Sequence, residues 1–558
     1  MIFTQDFNMS ERTDFGVLYG QKTTEDALLI YSSYEDAKAS PKRGDFIVLT
    51  PKDEGGQKFL TRVEEEVYDE DPIFRSQDKT LVAVHYARIA ERELSERDKQ
   101  KMFSYTYKVK MLGTFIDTGQ AVEFTTAVRK LPVVSYHARH LSRREVDWII
   151  NKPNQEGTPI TVGNICIGED IQKEKGDILF NIQRLRDKRT MVFAQSGFGK
   201  TNLVKVLLYH AVGDSKFGKL IFDLNGEYAI KSEKTLGLGD INEPKIKDHL
   251  VVYTDKTLPE DYKSHFQYGG KVALNMYQSL SVGDILNFTT GFSDVMKSFL
   301  IYLSEGAGDF MKKIEQYASD PRKLHADFPD FWGQAKESKD GEFKDEAKAR
   351  PTIMGIRKRI GFLLDEKGGL HSSASKLDDD VCNYLRQGKT IVIDLSMKDS
   401  TEASIISTIL VRKIFEVNKA SYTTAEDKGQ PIPCVVFVEE AQNVLSEEFV
   451  KTNANPFVRV AKEGRKFGIG LVAITQRPSA ISEEIRTQTE NFFAFHMGNS
   501  DDIKALVRSN VHYDGVISTF LQKETIKGNL YMVTSDSPFV IPVRVLEFEK
   551  LVSSKIYK

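Results

Sequence analysis

The sequence predicts a mixed α/β protein: a parallel sheet flanked by helices, interrupted by a helical insertion and preceded by a small β-barrel. Three observations carry this expectation. In residues 1–145, short alternating runs (Asp45–Leu49, Leu81–Tyr86 and Tyr105–Leu112) are separated by turn residues such as Pro41, Gly44 and the pair Gly55-Gly56, the pattern of a small barrel. Further on, continuous apolar runs alternate with helical segments: Thr190–Ala194, Lys219–Leu224, Thr390–Leu395, Cys434–Val438, Gly470–Thr475 and Phe492–Phe495. Strands that are apolar on both faces and separated by helices mark a parallel sheet covered on both sides. Between these runs, residues 256–388 are charged and mostly helical in pattern, as in Phe292–Leu303, where apolar residues recur at helical spacing.

Composition sets the frame. The chain has 558 residues, enough for about three to four domain-sized units at ~150 residues each. Hydrophobic content is 40% and charged content 28%, so a packed core is expected. The net charge of −3 excludes a uniformly basic surface. Any nucleic-acid contact must be local, as in a lined channel. Cys166, Cys382 and Cys434 have no metal-ligand spacing and read as buried thiols. The N-terminus lacks a basic segment followed by an apolar run, and no apolar stretch approaches the ~20 residues that span a bilayer. A soluble, cytoplasmic protein with no membrane contact is expected.

The expected boundaries follow. The barrel occupies 1–145 and a connector 146–180, the latter marked by Pro153, Gly157, Pro159 and Gly163. The α/β core occupies 181–255 and 389–558, with a terminal hairpin across Leu530–Leu546 around Ser535–Pro538. The helical insertion occupies 256–388. Two polar stretches, Ile89–Lys101 and residues 333–349, read as solvated helix or loop.

The strongest chemical signal is TMVFAQSGFGKTNLVKVLLYHAV, starting at Thr190. A strand runs into a glycine-bearing loop, then Lys-Thr, then an amphipathic helix, the context a phosphate cradle requires. Gly197 and Gly199 let the backbone turn its N–H groups onto phosphate oxygens. The helix begins near Lys200 and points its positive end at the same anion. Lys200 is expected to reach the β- and γ-phosphates of ATP, and the Thr201 hydroxyl to bind Mg²⁺. Ser196, Gly197, Phe198, Gly199, Lys200, Thr201 and Asn202 together form the expected nucleotide-binding segment. Ala194 stands where the motif's first glycine usually lies, and Ala is small enough for that place.

Further signals stand at strand ends. The run Val435–Val438 ends in Glu439 and Glu440. Glu439 is expected to hold Mg²⁺ through water, with Glu in place of the more usual Asp. Glu440 is expected to polarise the attacking water as general base. The strand ending at Thr475 is followed by Gln476, which can sense the γ-phosphate if that strand lies beside the carboxylate strand. Asp223 ends the run KLIFDL before NGEY. It, or Glu227, lines the nucleotide or the subunit boundary at a strand end; alternatively Asp223 caps the turn. Arg465, in EGRKFG, lies where an arginine can reach a γ-phosphate held by a neighbouring subunit of a ring. The basic group Arg184–Arg189 is a solvated face or, alternatively, contacts a subunit interface or phosphate.

DLNGEY, VEEAQN, EGRKFGIGL and TQRPS in this order resemble the HerA branch of the HerA/FtsK superfamily. Phe15–Gly20, Gly44–Val48 and Leu60–Val63 are similar to the small barrel at the N-terminus of such ATPases. The resemblance spans most of the chain, the insertion being matched by pattern alone. It implies a RecA-like P-loop core and a homohexamer that hydrolyses ATP between subunits and moves double-stranded DNA through its pore. It implies that Lys200 and Thr201 are the phosphate and Mg²⁺ residues, Glu439 and Glu440 the acidic pair, Gln476 the sensor, Arg465 the trans-acting arginine and Asp223 the acidic residue after the second strand. It also implies a partner effector, a nuclease or a sirtuin-like NAD hydrolase, docked on the barrel, in DNA processing or antiphage defence. The chain itself carries no recognisable motif for either activity.

Two functions of different class follow. One is a DNA-translocating motor. The other is a ring that chiefly assembles and gates a partner effector, in keeping with the acidic charge and separate barrel. A secretion or conjugation motor is disfavoured by the lack of a membrane segment.

Overall fold

A computed structural model of the chain describes residues 14–21, 27–33, 41–52, 56–70, 103–117, 122–142, 145, 147–152, 155, 157–167, 170–171, 176–232, 235–289, 291–305, 310–332, 336–337, 343–344, 348–423, 431–452, 455–535, 537 and 539–557. The expected strand Leu81–Tyr86, the stretch Ile89–Lys101 and Gly55 lie outside these residues, as does most of 333–349. The chain divides into two compact units. The first holds residues 1–182, 193–200 and 490–546; the second holds 183–192, 201–489 and 547–558.

The first unit begins with the barrel. Its strands are β1 (Asp14–Gln21), β2 (Ala27–Ser33), β3 (Phe46–Thr50), β4 (Lys58–Glu70), β5 (Phe103–Asp117), β6 (Val122–Thr125) and β7 (His137–His140). They run in the order β2-β1-β7-β3-β4-β5-β6, and a further β2–β5 pairing closes six of them into a ring. Every alternate residue of the strands faces inward. Phe15, Ile30, Ile47, Phe59, Val63 and Val109 thus fill the interior, each at most 3% exposed. Closure removes the unpaired strand edges.

The same unit holds β8 (Pro159–Ile167), β9 (Asp170–Ile171), β10 (Asp177–Asn181), β20 (Asn491–Ala494), β21 (Asn529–Val533) and β22 (Ile541–Val545). All pairings among them are antiparallel: β10–β8, β8–β9, β8–β22, β22–β21 and β21–β20. Phe539, next to β22, packs its ring against Phe46 and Phe124 of the barrel, at 5.3 and 6.1 Å between centroids.

One expectation changes here. Residues 146–180, expected as a connector, contribute three strands. Pro159 opens β8, Gly157 and Gly176 adopt positive φ just outside the strands, and Gly163 lies inside β8, where an added Cβ would meet the Arg544 backbone; Pro153 lies outside the described residues. The run Phe492–Phe495, expected among parallel strands, has β21 as an antiparallel neighbour.

The second unit carries a sheet ordered β11-β19-β18-β12-β17-β13-β14. Its strands are β11 (Arg189–Phe193, the last residue belonging to the first unit), β12 (Gly218–Asp223), β13 (Leu250–Thr254), β14 (Gln267–Gly270), β17 (Thr390–Asp394), β18 (Cys434–Val438) and β19 (Ile469–Thr475). The pairings β19–β18, β18–β12, β12–β17, β17–β13 and β13–β14 are parallel. All residues of β12, β13, β17, β18 and β19 are buried, as a sheet covered on both faces requires. The short pair β15 (Lys336–Glu337) and β16 (Phe343–Lys344) lies in the insertion.

The helices that matter below are α1 (Lys200–Ala211), α2 (Ser400–Thr423), α3 (Pro456–Glu463) and α4 (Phe548–Val552). The segment 256–388 is helical over much of its length, but β14 adds a strand to the sheet edge. Its sequence, QYGG, has no β-branched residue to signal it. The three cysteines are buried thiols, and burial pushes Cys382 up to about 11. Among the described residues no helix is long and apolar enough to cross a membrane.

Lys219, at the start of β12, makes a testable mark on stability. It is fully buried, donates to the carbonyls of Asp214 and Gly388 and lies 4.6 Å from the Phe217 ring centroid. Burial pushes its ammonium down to about 7 from the ordinary 10.5. Between those values the unfolded chain binds more protons than the native one, so stability rises with pH across that window. Replacing Lys219 by Met should abolish this term. Denaturant titrations from pH 7 to 9 should show wild type gaining up to about 1.4 kcal/mol per pH unit relative to Lys219→Met. Parallel pH curves for the two proteins would contradict a depressed lysine.

Candidate active site

Local chain chemistry builds the phosphate loop. β11 ends at Phe193, a six-residue loop follows, and α1 starts at Lys200. Gly197 and Gly199 adopt φ of +84° and +111°, a region closed to most side chains. At Gly199 an added Cβ would also meet Phe495 at 3.3 Å. The loop is held by the first unit's own C-terminal segment. Gln195 N–H donates to His496 O (3.0 Å), and Gly528 N–H donates to Phe198 O (3.0 Å). The Phe198 and His496 rings lie 4.3 Å apart. Lys200 opens α1, a twelve-residue helix whose first-turn N–H groups have no intrahelical acceptor and favour an anion.

Thr201 and Asn202 continue α1 into the second unit. Asn202, expected at the nucleotide, uses its side-chain oxygen to accept from Phe548 N–H (2.8 Å). It therefore ties the first turn of α1 to α4. Lys205, one turn on, lies 5.6 Å from the Phe548 ring centroid.

The second unit gathers acidic and amide groups at the carboxyl edge of its sheet. Parallel pairing sets this directly: Phe222 faces Val438, and Val438 faces Ala473. The residues just beyond, Asp223, Glu439, Glu440, Thr475 and Gln476, therefore emerge on one edge. In open α/β sheets this is the edge where ligands bind.

Glu440 is half-buried and adopts φ +45°, a conformation a non-glycine residue rarely takes. Gln442 Nε2 donates to its Oε2 (2.7 Å) and Gln476 Nε2 to its Oε1 (3.1 Å). Thr475 Oγ1 donates to Gln442 Oε1 (2.5 Å) and accepts from Arg477 N–H (3.0 Å). The expected base and the expected sensor are thus brought together.

Glu439 is 6% exposed. Its Oε1 accepts from the Tyr228 hydroxyl (2.7 Å). Burial and the charge of Glu439 hold the Tyr228 phenol well above its ordinary range, so it remains a donor. Tyr228 N–H in turn donates to Asp223 Oδ2 (2.9 Å), and Glu227 N–H donates to Asp223 Oδ1 (3.0 Å). Of the two roles open to Asp223, the side chain performs the capping one. Burial pushes its carboxyl up, against the backbone N–H groups that lower it. Tyr228 links Asp223 to Glu439, which the sequence did not signal beyond its place in NGEY. Asp394, at the end of β17, faces Asp223 in the register. It accepts from Thr254 Oγ1 (2.8 Å) and Ser396 Oγ (2.6 Å) and pairs with Lys256 (3.2 Å).

Arg465 is exposed in the turn Gly464–Phe467, before β19 begins. Gln476 follows the other end of that strand, ~20 Å away at ~3.3 Å per residue. Arg465 does not share the carboxyl edge with Glu440 of its own chain. In the basic group, Arg189 donates to the carbonyls of Ala461, Lys462 and Gln488. Two of these are at the end of α3, where a cation complements the helix dipole. Arg186 pairs with Asp187 at 2.5 Å.

Residues 165–414 match the family model of the central domain of the helicase HerA. The chain is similar to the DNA double-strand break repair helicase HerA of Sulfolobus acidocaldarius, with 25% identity over 380 residues, covering 67% of this chain and 68% of that protein. A probable helicase of Methanocaldococcus jannaschii is 22% identical over 537 residues, 91% of each chain. Among solved structures, VirB4 of Thermoanaerobacter pseudethanolicus aligns with a TM-score of 0.41 and 15% identity, over 70% of this chain and 97% of that one.

Proposed function

We propose that the chain, whose residues 165–414 match the HerA central domain, is a P-loop ATPase of HerA type that works as a hexamer, hydrolyses Mg²⁺-ATP at the loop Ser196–Asn202, and uses the energy to move double-stranded DNA through a central pore. The observation that carries hydrolysis is Glu440 bracketed by Gln442 and Gln476 on adjacent strand ends. A carboxylate so held can take a proton from water while a neighbouring amide reports the γ-phosphate.

Lys200 and the loop N–H groups bind the β- and γ-phosphates. The donor set for the cation is the Thr201 hydroxyl and the Glu439 carboxylate, oxygen donors that suit Mg²⁺. Mg²⁺ bound there neutralises developing phosphate charge. Arg465 serves a neighbouring subunit's nucleotide, in keeping with its place away from the carboxyl edge of its own sheet.

A second function has its own observation. On the barrel, Val17, Tyr19, Leu131, Val133 and Val134 are 36–59% exposed. Ser135 N–H donates to Leu18 O and Leu18 N–H to Tyr136 O, which lays the segment 131–136 alongside β1. Exposed apolar clusters on a folded surface mark interaction sites. A partner bearing nuclease or NAD-hydrolysing activity docks there, and the ring then acts as its scaffold in DNA processing or antiphage defence.

One experiment separates motor from scaffold. Phosphate release is measured with the assembled protein, with and without linear double-stranded DNA, for wild type and Val133→Asp/Val134→Asp. A motor gives severalfold DNA stimulation in both proteins. DNA-independent turnover in an intact hexamer, with the barrel variant failing to co-assemble with the effector, supports the scaffold and rejects translocation.

A further inference from the structure

In the function proposed above Gln442 only brackets Glu440, yet its side chain is fixed at both ends. Amide orientation is decided by the neighbours that its two ends meet. Thr475 Oγ1 already accepts from Arg477 N–H (3.0 Å), so its proton is available for Gln442 Oε1, 2.5 Å away. That bond turns the Gln442 NH₂ toward Glu440 Oε2, at 2.7 Å. Thr475 is fully buried and sits on β19, while Glu440 and Gln442 follow β18. The chain of bonds therefore spans two neighbouring strands.

The two amides on Glu440 are unequal. Gln442 makes the shorter bond and is itself anchored; Gln476 makes the longer one, 3.1 Å to Oε1. Glu440 also holds a left-handed backbone conformation, φ +45°, which persists only where surroundings over-determine it.

We propose that Gln442 is a positioning residue for Glu440, its amide oriented by the Thr475 hydroxyl, and that Gln476 is the releasable latch on the other carboxylate oxygen. When Gln476 leaves Oε1 for the γ-phosphate, Oε1 can turn to the attacking water while Oε2 stays tethered. The tether keeps the base in line without blocking it. The inference rests on Glu440 being the base.

The test compares the full-length protein with Gln442→Ala, Thr475→Val, Thr475→Ser and Glu440→Gln. The readouts are kcat and KM for ATP, and equilibrium binding of a fluorescent ATP analogue. A group that only positions the base should lower kcat and leave nucleotide binding alone. Gln442→Ala should lose about 10- to 100-fold in kcat, within the range that a misplaced catalytic group costs, with KM and analogue affinity within about twofold of wild type. Thr475→Val removes the hydroxyl without changing shape and should fall the same way, less steeply. Thr475→Ser keeps the hydroxyl and should restore most of the rate. Equal rates for the Val and Ser variants, or a normal kcat for Gln442→Ala, overturn the inference. If Glu440→Gln is inactive in that same series, only the positioning role has failed. If Glu440→Gln turns over ATP normally, the base itself is misassigned, and the inference falls with it.

Discussion

Lys200→Ala should abolish ATP turnover, with kcat/KM falling at least about 10²–10³-fold. A preorganised cation or donor facing developing phosphate charge is worth that much on removal. The reason lies in the geometry of the loop. Gly197 and Gly199 hold positive φ, and the loop is bonded to His496 and Gly528, so the backbone frame should survive loss of the side chain. Lys200 is only half-buried and opens α1, where Ala is well tolerated. A thermal melt should therefore stay within a few degrees of wild type, since no large core group is lost. Binding of a fluorescent ATP analogue and phosphate release measure the effect directly. Unchanged turnover in a folded Lys200→Ala protein would place the nucleotide somewhere other than this loop.

Glu440→Gln should act differently: ATP still binds and hydrolysis stops. Loss of a general base costs ~10²–10⁴-fold, and the phosphate loop is untouched. The substitution also places an amide where Gln442 and Gln476 both present amides. One of these must turn away or meet a donor with a donor, so a local rearrangement accompanies the loss. Single-turnover phosphate release, alongside analogue binding, separates the two variants. Lys200→Ala loses binding and turnover together, whereas Glu440→Gln loses turnover alone. A Glu440→Gln protein with weakened binding would point to a structural rather than a catalytic carboxylate.

How much of this was legible in the sequence depended on how local the information was. The phosphate loop is contiguous, and strand, loop and helix can be read along a single line from Thr190. The carboxylate strand and the Gln476 strand were each visible as apolar runs with polar ends. That β18 and β19 are neighbours is a tertiary fact, and it brings Gln476 to Glu440. Tyr228, Gln442 and Thr475 lie inside the motif segments, but the bonds Tyr228–Glu439 and Thr475–Gln442 join elements remote in sequence. No spacing along the chain announces a tyrosine that joins two acids. Asn202 shows the converse: its position next to Lys-Thr suggested the nucleotide, while its bond to Phe548 depends on where the end of the chain returns. The strands within 146–180 are hidden because Pro159 at a strand start and Gly163 inside one, where two backbones approach closely, look the same as breakers in a linker.

The two units are interleaved along the chain, and this bears on when the nucleotide site can first exist. The loop residues Gln195 and Phe198 take their backbone supports from His496 and Gly528, which leave the ribosome about 300 residues later. At roughly 5–20 residues per second that delay is on the order of 15–60 s. During it the glycine loop has been made but not braced. A nascent chain would thus hold a legible motif well before it held a binding site, and a message truncated ahead of residue 490 would yield the motif without the cradle.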